Sequence, residues 1–114
     1  MTSARRGKTR GDGLGNELEI WDKLLDCVPS GDAHSYGVVE DQLFDRYPAE
    51  AAAVQERYGR RWREGKKSEN QFSMSAYLAA RLSELAEEKL LFKTFGAAEG
   101  PWSYNGIISY WERA

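Results

Sequence analysis

The most chemically distinctive part of the sequence is a short stretch rich in Lys and Arg. Residues 57–67 hold six basic residues against one Glu, a net charge of +5 in a chain whose formal net charge is −2. Such a density of cations neutralises phosphates and releases the counterions condensed on a nucleic acid. The basic side chains are Arg57, Arg60, Arg61, Arg63, Lys66 and Lys67. The stretch is predicted to contact nucleic-acid phosphates, with a solvated helix face as the alternative.

Two other segments carry a strong charge bias. Residues 1–15 hold four basic residues and one Asp, and their Gly- and Arg-rich composition predicts a disordered basic arm. The arm is expected either to follow a groove or phosphates of DNA, or to serve solubility alone. Residues 16–56 hold ten acids and two bases. This acidic half is expected to face away from DNA or toward a protein partner.

Residues suited to catalysis or metal binding are few, and the chain is not expected to be an enzyme. His34 is the single histidine, so a histidine metal site or acid–base pair lacks a second member. Cys27, the single cysteine, is interpreted as a structural thiol and cannot form an intramolecular disulfide. The carboxylates Glu40, Asp41 and Asp45 are interpreted as a solvated acidic face. No catalytic residue, metal or cofactor is predicted.

The length and hydropathy of the chain favour one compact domain over residues 16–114. With 114 residues and 41% apolar side chains, the chain can form a single core. No apolar run approaches the roughly 20 residues that span a bilayer. The basic start has no apolar stretch behind it, which is not the pattern of a signal peptide. We therefore expect a cytoplasmic protein without a membrane partner.

Hydrophobic periodicity predicts four helices followed by a hairpin. The helices are expected at residues 16–28 (capped by Asn16), 36–47, 49–64 and 73–89. Glycine-rich turns then separate two strands, LLFKTF and IISYW, of which the second begins at Ile107. The aromatic residues are predicted to pack on the core rather than to stack on bases. They are Trp21, Trp62, Trp102, Tyr104, Tyr110 and Trp111.

The helix over 73–89 has the clearest division into two faces. Its core face is predicted to consist of Met74, Leu78, Leu82 and Leu85. Its opposite, solvent-exposed face is expected to approach DNA through the N-terminal half of the helix. The small residues there permit close approach, and the longer Tyr77 and Arg81 reach further. The predicted contacts on this helix are Ser73, Ser75, Ala76, Tyr77, Ala80 and Arg81.

Residues 73–113, SMSAYLAARLSELAEEKLLFKTFGAAEGPWSYNGIISYWER, resemble the winged helix-turn-helix family, in which a recognition helix leads directly into a β-hairpin wing. Leu82, Leu85 and Leu90 fit the hydrophobic pattern that commonly ends such a helix. The resemblance implies a mainly α fold with a small β-hairpin (α+β), with residues 73–81 in the major groove. It adds Lys93 in the wing to the DNA contacts.

The sequence departs from that family pattern at two places. An extra basic helix, residues 49–64, precedes the recognition helix, and the wing tip GAAEGPW contains no Lys or Arg. The expected function is a small bacterial or phage DNA-binding regulator or nucleoprotein accessory factor. It is expected to bind double-stranded DNA, and a homodimer is plausible for paired half-sites. The alternative is a winged-helix protein-interaction module, such as a phage-type inhibitor or an assembly adaptor. The two differ in whether the basic residues share a face with Ser73 and Tyr77.

Overall fold

The computed structural model describes residues 12–62, 73–98, 100, 102 and 106–114. Its helices are α1 (Gly13–Leu18), α2 (Ile20–Asp26), α3 (Tyr36–Arg46), α4 (Pro48–Tyr58) and α5 (Met74–Glu87). Its strands are β1 (His34–Ser35), β2 (Leu91–Ala97) and β3 (Ile107–Arg113). This part of the chain is mostly helical with one small antiparallel sheet, which confirms the predicted α+β class.

The N-terminal helical region begins earlier than predicted and is divided in two. Asp12, not Asn16, is the N-cap: its carboxylate accepts a 2.8 Å hydrogen bond from the backbone N–H of Gly15. Asp is among the preferred N-cap residues because its side chain satisfies an otherwise unpaired N–H. Glu19 adopts a left-handed conformation, φ 54°, and separates α1 from α2. Residues 12–15, assigned to the arm by composition, therefore belong to the fold.

The next two helices begin and end at residues with clear local preferences. Ser35 caps α3 through its hydroxyl, which accepts from the N–H of Val38. Pro48 occupies the first turn of α4, where its missing N–H costs nothing. Gly59, with φ 98°, ends α4 well before the predicted residue 64. A positive φ is accessible to glycine without the steric cost that a Cβ brings.

The helix α5 has the core face that its sequence predicted. Ser73 caps it by accepting a 3.1 Å hydrogen bond from the N–H of Ala76. The four predicted core residues, Met74, Leu78, Leu82 and Leu85, are all fully buried. The helix ends at Glu87, and Lys89 then turns the chain with φ 66° into β2.

The sheet has the strand order β1-β3-β2, with both pairs antiparallel. The hairpin pairs Leu91 with Arg113 at its base and Ala97 with Ile107 at its far end. Strand β1 pairs His34 with Trp111. It was not predicted because two residues are too few to show an alternating pattern.

The core is aromatic as well as aliphatic. Trp21, Trp102 and Trp111 are buried, which confirms the prediction that they pack inside, and Trp62 packs against the core half-buried. The indole of Trp102 lies directly over the bare Cα of Gly37, where a Cβ would collide with it. Tyr104 lies outside the described residues. Among the described residues, no helix is long and apolar enough to cross a bilayer.

Candidate nucleic-acid interface

The N-terminal half of α5 is largely enclosed by the rest of the protein. Ser73, Ser75 and Tyr77 are 1%, 0% and 8% exposed. The prediction that they face solvent is therefore wrong, and their side chains are not available to base edges in this conformation. The physical reason is a second packing surface: the ring of Tyr58, from α4, stacks on Tyr77 with ring centroids 4.3 Å apart.

Ser75 belongs to a buried network centred on Glu40. The Glu40 carboxylate accepts hydrogen bonds from the hydroxyls of Tyr36, at 2.6 Å, and Ser75, at 2.5 Å. The guanidinium of Arg61 donates to its other oxygen. Glu40 is fully buried, so its assignment to a solvated acidic face is wrong. Periodicity alone gives no sign of this, because its donors come from three separate parts of the chain.

Arg61 is held in this network by two carboxylates. Besides Glu40 it donates to Asp41, and its guanidinium lies 4.4 Å from the ring centroid of Phe44. Burial alone would lower the pKa of Arg61, but the hydrogen bonds and charges of the two carboxylates raise it above its usual value. Burial, followed by the charge of Glu40, raises the pKa of Tyr36 well above its ordinary range. The network therefore joins a permanently charged arginine to a neutral phenol.

Arg81 is held in a second network on the other flank of α5. It donates 3.0 Å hydrogen bonds to Asp12 and Glu84, and Tyr77 donates to the same Asp12 carboxylate at 2.8 Å. Glu84 also accepts a 2.7 Å hydrogen bond from the indole N–H of Trp21. Arg81 therefore links the N-terminal cap to α5, where the sequence predicted a side chain reaching toward DNA.

The solvent-facing strip of α5 consists of small and acidic residues. Ala80 and Glu87 are exposed, and Ala76, Ala79 and Ser83 are half-buried. Of the predicted contacts on this helix, Ala76 and Ala80 keep their solvent-facing position. Such a strip lets a backbone or a groove approach closely, but it carries little capacity for hydrogen bonds to bases.

The remaining predicted basic contacts are spread over three parts of the chain. Arg57 is exposed at the end of α4, with its guanidinium 5.4 Å from the Tyr58 ring centroid, and Arg60 is half-buried. Lys93 is exposed on β2. The predicted contacts Arg63, Lys66 and Lys67 lie outside the described residues.

The hairpin has an exposed apolar surface that the sequence did not predict. Phe92, Phe95 and Ile107 are 56%, 68% and 61% exposed. The segment LLFKTF places an aromatic residue on each face of the strand, and this pattern could have predicted an exposed apolar side chain. Within the described residues, no group of three or more His, Cys, Asp or Glu side chains is arranged to hold a metal ion.

No family model, curated protein or solved structure matches this chain.

Proposed function

We propose that this protein is a winged-helix domain that binds double-stranded DNA around α5, mainly through phosphates and with little direct readout of bases. The element order supports this fold. A strand precedes α3, the helix α5 leads into a hairpin, and β1 pairs with the last strand of that hairpin. The helix α4 is then an addition between the two helices of the helix-turn-helix.

The observation that carries the proposal is where the two basic segments join the fold. Asp12, directly after the basic residues 1–11, is bonded to Tyr77 and Arg81 on α5. Residues 63–72 connect Trp62 in the sequence to Ser73, the N-cap of α5. Residues 1–11, with four basic and no acidic residues, and residues 63–72, with three basic against two acidic residues, thus each adjoin in sequence a residue that is bonded to α5 or caps it.

The junctions of residues 63–72 are themselves fixed to the start of α5. The backbone N–H of Trp62 donates a 2.9 Å hydrogen bond to the Ser75 hydroxyl. The N–H of Met74 donates a 3.1 Å hydrogen bond to the carbonyl of Arg60. The two ends between which Arg63, Lys66 and Lys67 occur in the sequence are therefore fixed at the N-terminus of α5, where the helix dipole also favours phosphate.

The strip on α5 sets the expected specificity. Ala76, Ala80 and Ser83 permit the helix to enter a major groove closely, but none of them makes a bidentate contact to a base. Phosphate contacts position a protein and carry no sequence information directly. We therefore expect a modest preference among DNA sequences and a steep dependence of affinity on salt.

The proposal is tested by fluorescence anisotropy with a random-sequence duplex across a salt series. We expect binding near about 50 mM salt, with a steep negative slope of log affinity against log salt. The double variant Lys66→Ala/Lys67→Ala should reduce that slope by about 1–2, since each lost phosphate contact removes roughly 0.9.

A matched pair of alanine-to-glutamate variants tests which surface of the protein contacts DNA. Ala80→Glu places a carboxylate on the solvent-facing strip of α5 and should weaken binding by about tenfold or more. Ala52→Glu makes the same change at an exposed position of α4 and should have a much smaller effect. Equal effects of the two variants, or no binding at low salt, would contradict the proposal.

Self-association is the second candidate function, and the exposed hairpin favours it. Strand β2 is the edge of the sheet, and Phe92 and Phe95 are exposed along it. Edge strands bearing apolar residues can pair with a second copy of the same strand. Sedimentation velocity should then show a concentration-dependent dimer that Phe92→Ser/Phe95→Ser abolishes. A monomer at all concentrations would exclude this pairing.

A further inference from the structure

The hairpin and α5 line a cleft of about 360 Å³ that the proposed DNA contact does not use, although one of its lining residues, Phe95, also belongs to the edge proposed for self-association. The rings of Trp62, Trp102 and Trp111 line it. The exposed side chains of Phe95 and Ile107 also belong to its lining. Aromatic walls of this kind favour a flat apolar body, because rings pack well against rings in offset or edge-to-face contact.

Two polar groups of this cleft, on Lys93 and Trp62, are hydrogen-bond donors with no acceptor among the described residues. The ammonium group of Lys93 lies 5.2 Å from the Phe95 ring centroid and 5.4 Å from that of Trp111. It forms no ion pair with any residue in the described part of the chain. The indole N–H of Trp62 is buried and has no hydrogen-bond partner among the described residues. Buried donors are ordinarily satisfied, so an unpaired one calls for an acceptor from elsewhere.

In the described part of the cleft lining, no carboxylate compensates these donors. Among the lining residues that the structure describes there is no Asp or Glu. Ser109 is already an acceptor, since it receives a 3.0 Å hydrogen bond from the indole N–H of Trp111. As far as the structure describes its lining, the cleft therefore combines aromatic walls with one cation outside any ion pair and one N–H without an acceptor.

We propose that this cleft binds a small planar aromatic carboxylate. The aromatic body packs among the tryptophan rings, and the carboxylate accepts a charge-assisted hydrogen bond from Lys93. The ammonium group already lies beside two rings, so it can meet the carboxylate without leaving its cation–π contacts. The inference does not depend on DNA binding, and its test contains no DNA.

The test uses naphthalene-2-carboxylate as the probe and the neutral 2-naphthalenemethanol as its matched control. Binding is measured by calorimetry, and the four indole N–H signals are followed by NMR. We expect the carboxylate to shift the signals of Trp62, Trp102 and Trp111. The Trp21 signal should not move, because Trp21 is outside the cleft and bonded to Glu84. The affinity for the alcohol should be lower by a factor of at least about ten.

Three variants assign the binding to this cleft. Lys93→Met should remove the preference for the carboxylate while leaving the weak binding of the alcohol unchanged. Lys89→Met, at an exposed lysine outside the cleft lining, should keep the wild-type preference. Ala79→Leu, which adds volume to the α5 wall of the cleft, should weaken both probes.

Each opposite result would overturn the inference. Equal affinities for the two probes would remove the assigned role of charge. Unchanged preference in Lys93→Met would assign that preference to another cation. Shifts of the Trp21 signal without shifts of the three cleft tryptophans, or no shifts at all, would show that the cleft is not the site.

Discussion

The hydroxyl of Ser75 on α5 donates a 2.5 Å hydrogen bond to the carboxylate of Glu40 on α3. The same hydroxyl oxygen accepts from the backbone N–H of Trp62. One small polar side chain therefore joins α3, α5 and the segment that follows α4. This relationship explains why the side chain of Ser75 is fully buried at the start of α5.

Removal of the Glu40 carboxylate should strongly destabilise the protein. Glu40→Ala leaves the half-buried Arg61 without one of its two carboxylate partners and two hydroxyls without an acceptor. Breaking a buried ion pair from one side typically costs about 3–5 kcal/mol, and the cost here should lie at the lower end of that range because Arg61 keeps its ion pair with Asp41. Urea unfolding followed by circular dichroism measures the change in free energy of unfolding.

The other carboxylate bonded to Arg61 provides the control. The Asp41 side chain is 52% exposed, so its ion pair is screened by water. Asp41→Asn should cost no more than about 1 kcal/mol. If Asp41→Asn lowered the free energy of unfolding as much as Glu40→Ala, the burial of Glu40 would not be the cause of the loss of stability.

Substitution of Arg81 should change stability and not DNA sequence preference. Arg81→Gln removes the guanidinium hydrogen bonds to Asp12 and Glu84. A hydrogen bond to a charged group contributes roughly 1.5–3 kcal/mol net to the free energy of unfolding. Thermal unfolding should show a lower Tm. Competition with duplexes of different sequence should show the same ranking as for wild type, and a changed ranking would mean that Arg81 reads a base.

A side chain at Gly37 should displace the indole of Trp102. The added methyl group of Gly37→Ala would collide with that ring, and overpacking in a core typically costs about 1–3 kcal/mol. Gly13→Ala is the matched control, because nothing lies within 4 Å of the added Cβ. It should be neutral, or stabilising by up to about 1 kcal/mol, since alanine favours helix over glycine. Denaturant midpoints of the two variants separate the effects.

The thiol of Cys27 should be unreactive in the native protein. Burial first, and then the charge of Asp26, raises its pKa from 9.0 to about 12. Because the thiolate is the nucleophile, native Cys27 should react with a disulfide reagent at pH 8 about a thousandfold more slowly than in urea. Comparable rates in the two conditions would show that the thiol is accessible.

The same shift predicts a loss of stability at alkaline pH. The neutral thiol is favoured in the folded state, so its contribution is fully present below pH 9.0. It is lost as the pH rises toward about 12, because the unfolded chain ionises first. The raised pKa of Tyr36, caused by its burial, acts in the same direction. Unfolding free energies measured from pH 8 upward should therefore decrease.

The sequence by itself determined the approximate positions of the main helices and the apolar core face of α5. Apolar residues recur there at helical spacing, so they share one face of the helix, and that face packs on the core. They are Met74, Leu78, Leu82 and Leu85, all fully buried. The hairpin was equally legible, because glycine-rich turns separate two strands of strong β composition. The coarse α+β class follows from these local patterns.

Only the tertiary structure decided which polar residues are available to a ligand. Four polar residues have side chains typical of a binding surface: Ser75, Tyr77, Arg61 and Arg81. Their hydrogen-bonding groups are instead paired with carboxylates within the fold, those of Glu40, Asp12 and Glu84. The strand β1 and the cleft beside Lys93 also depend on residues far apart in the chain. Hydrophobic periodicity predicts which face of a segment is buried. Hydrogen bonds and ion pairs depend on the individual partner residue, and tertiary packing decides which residue that is.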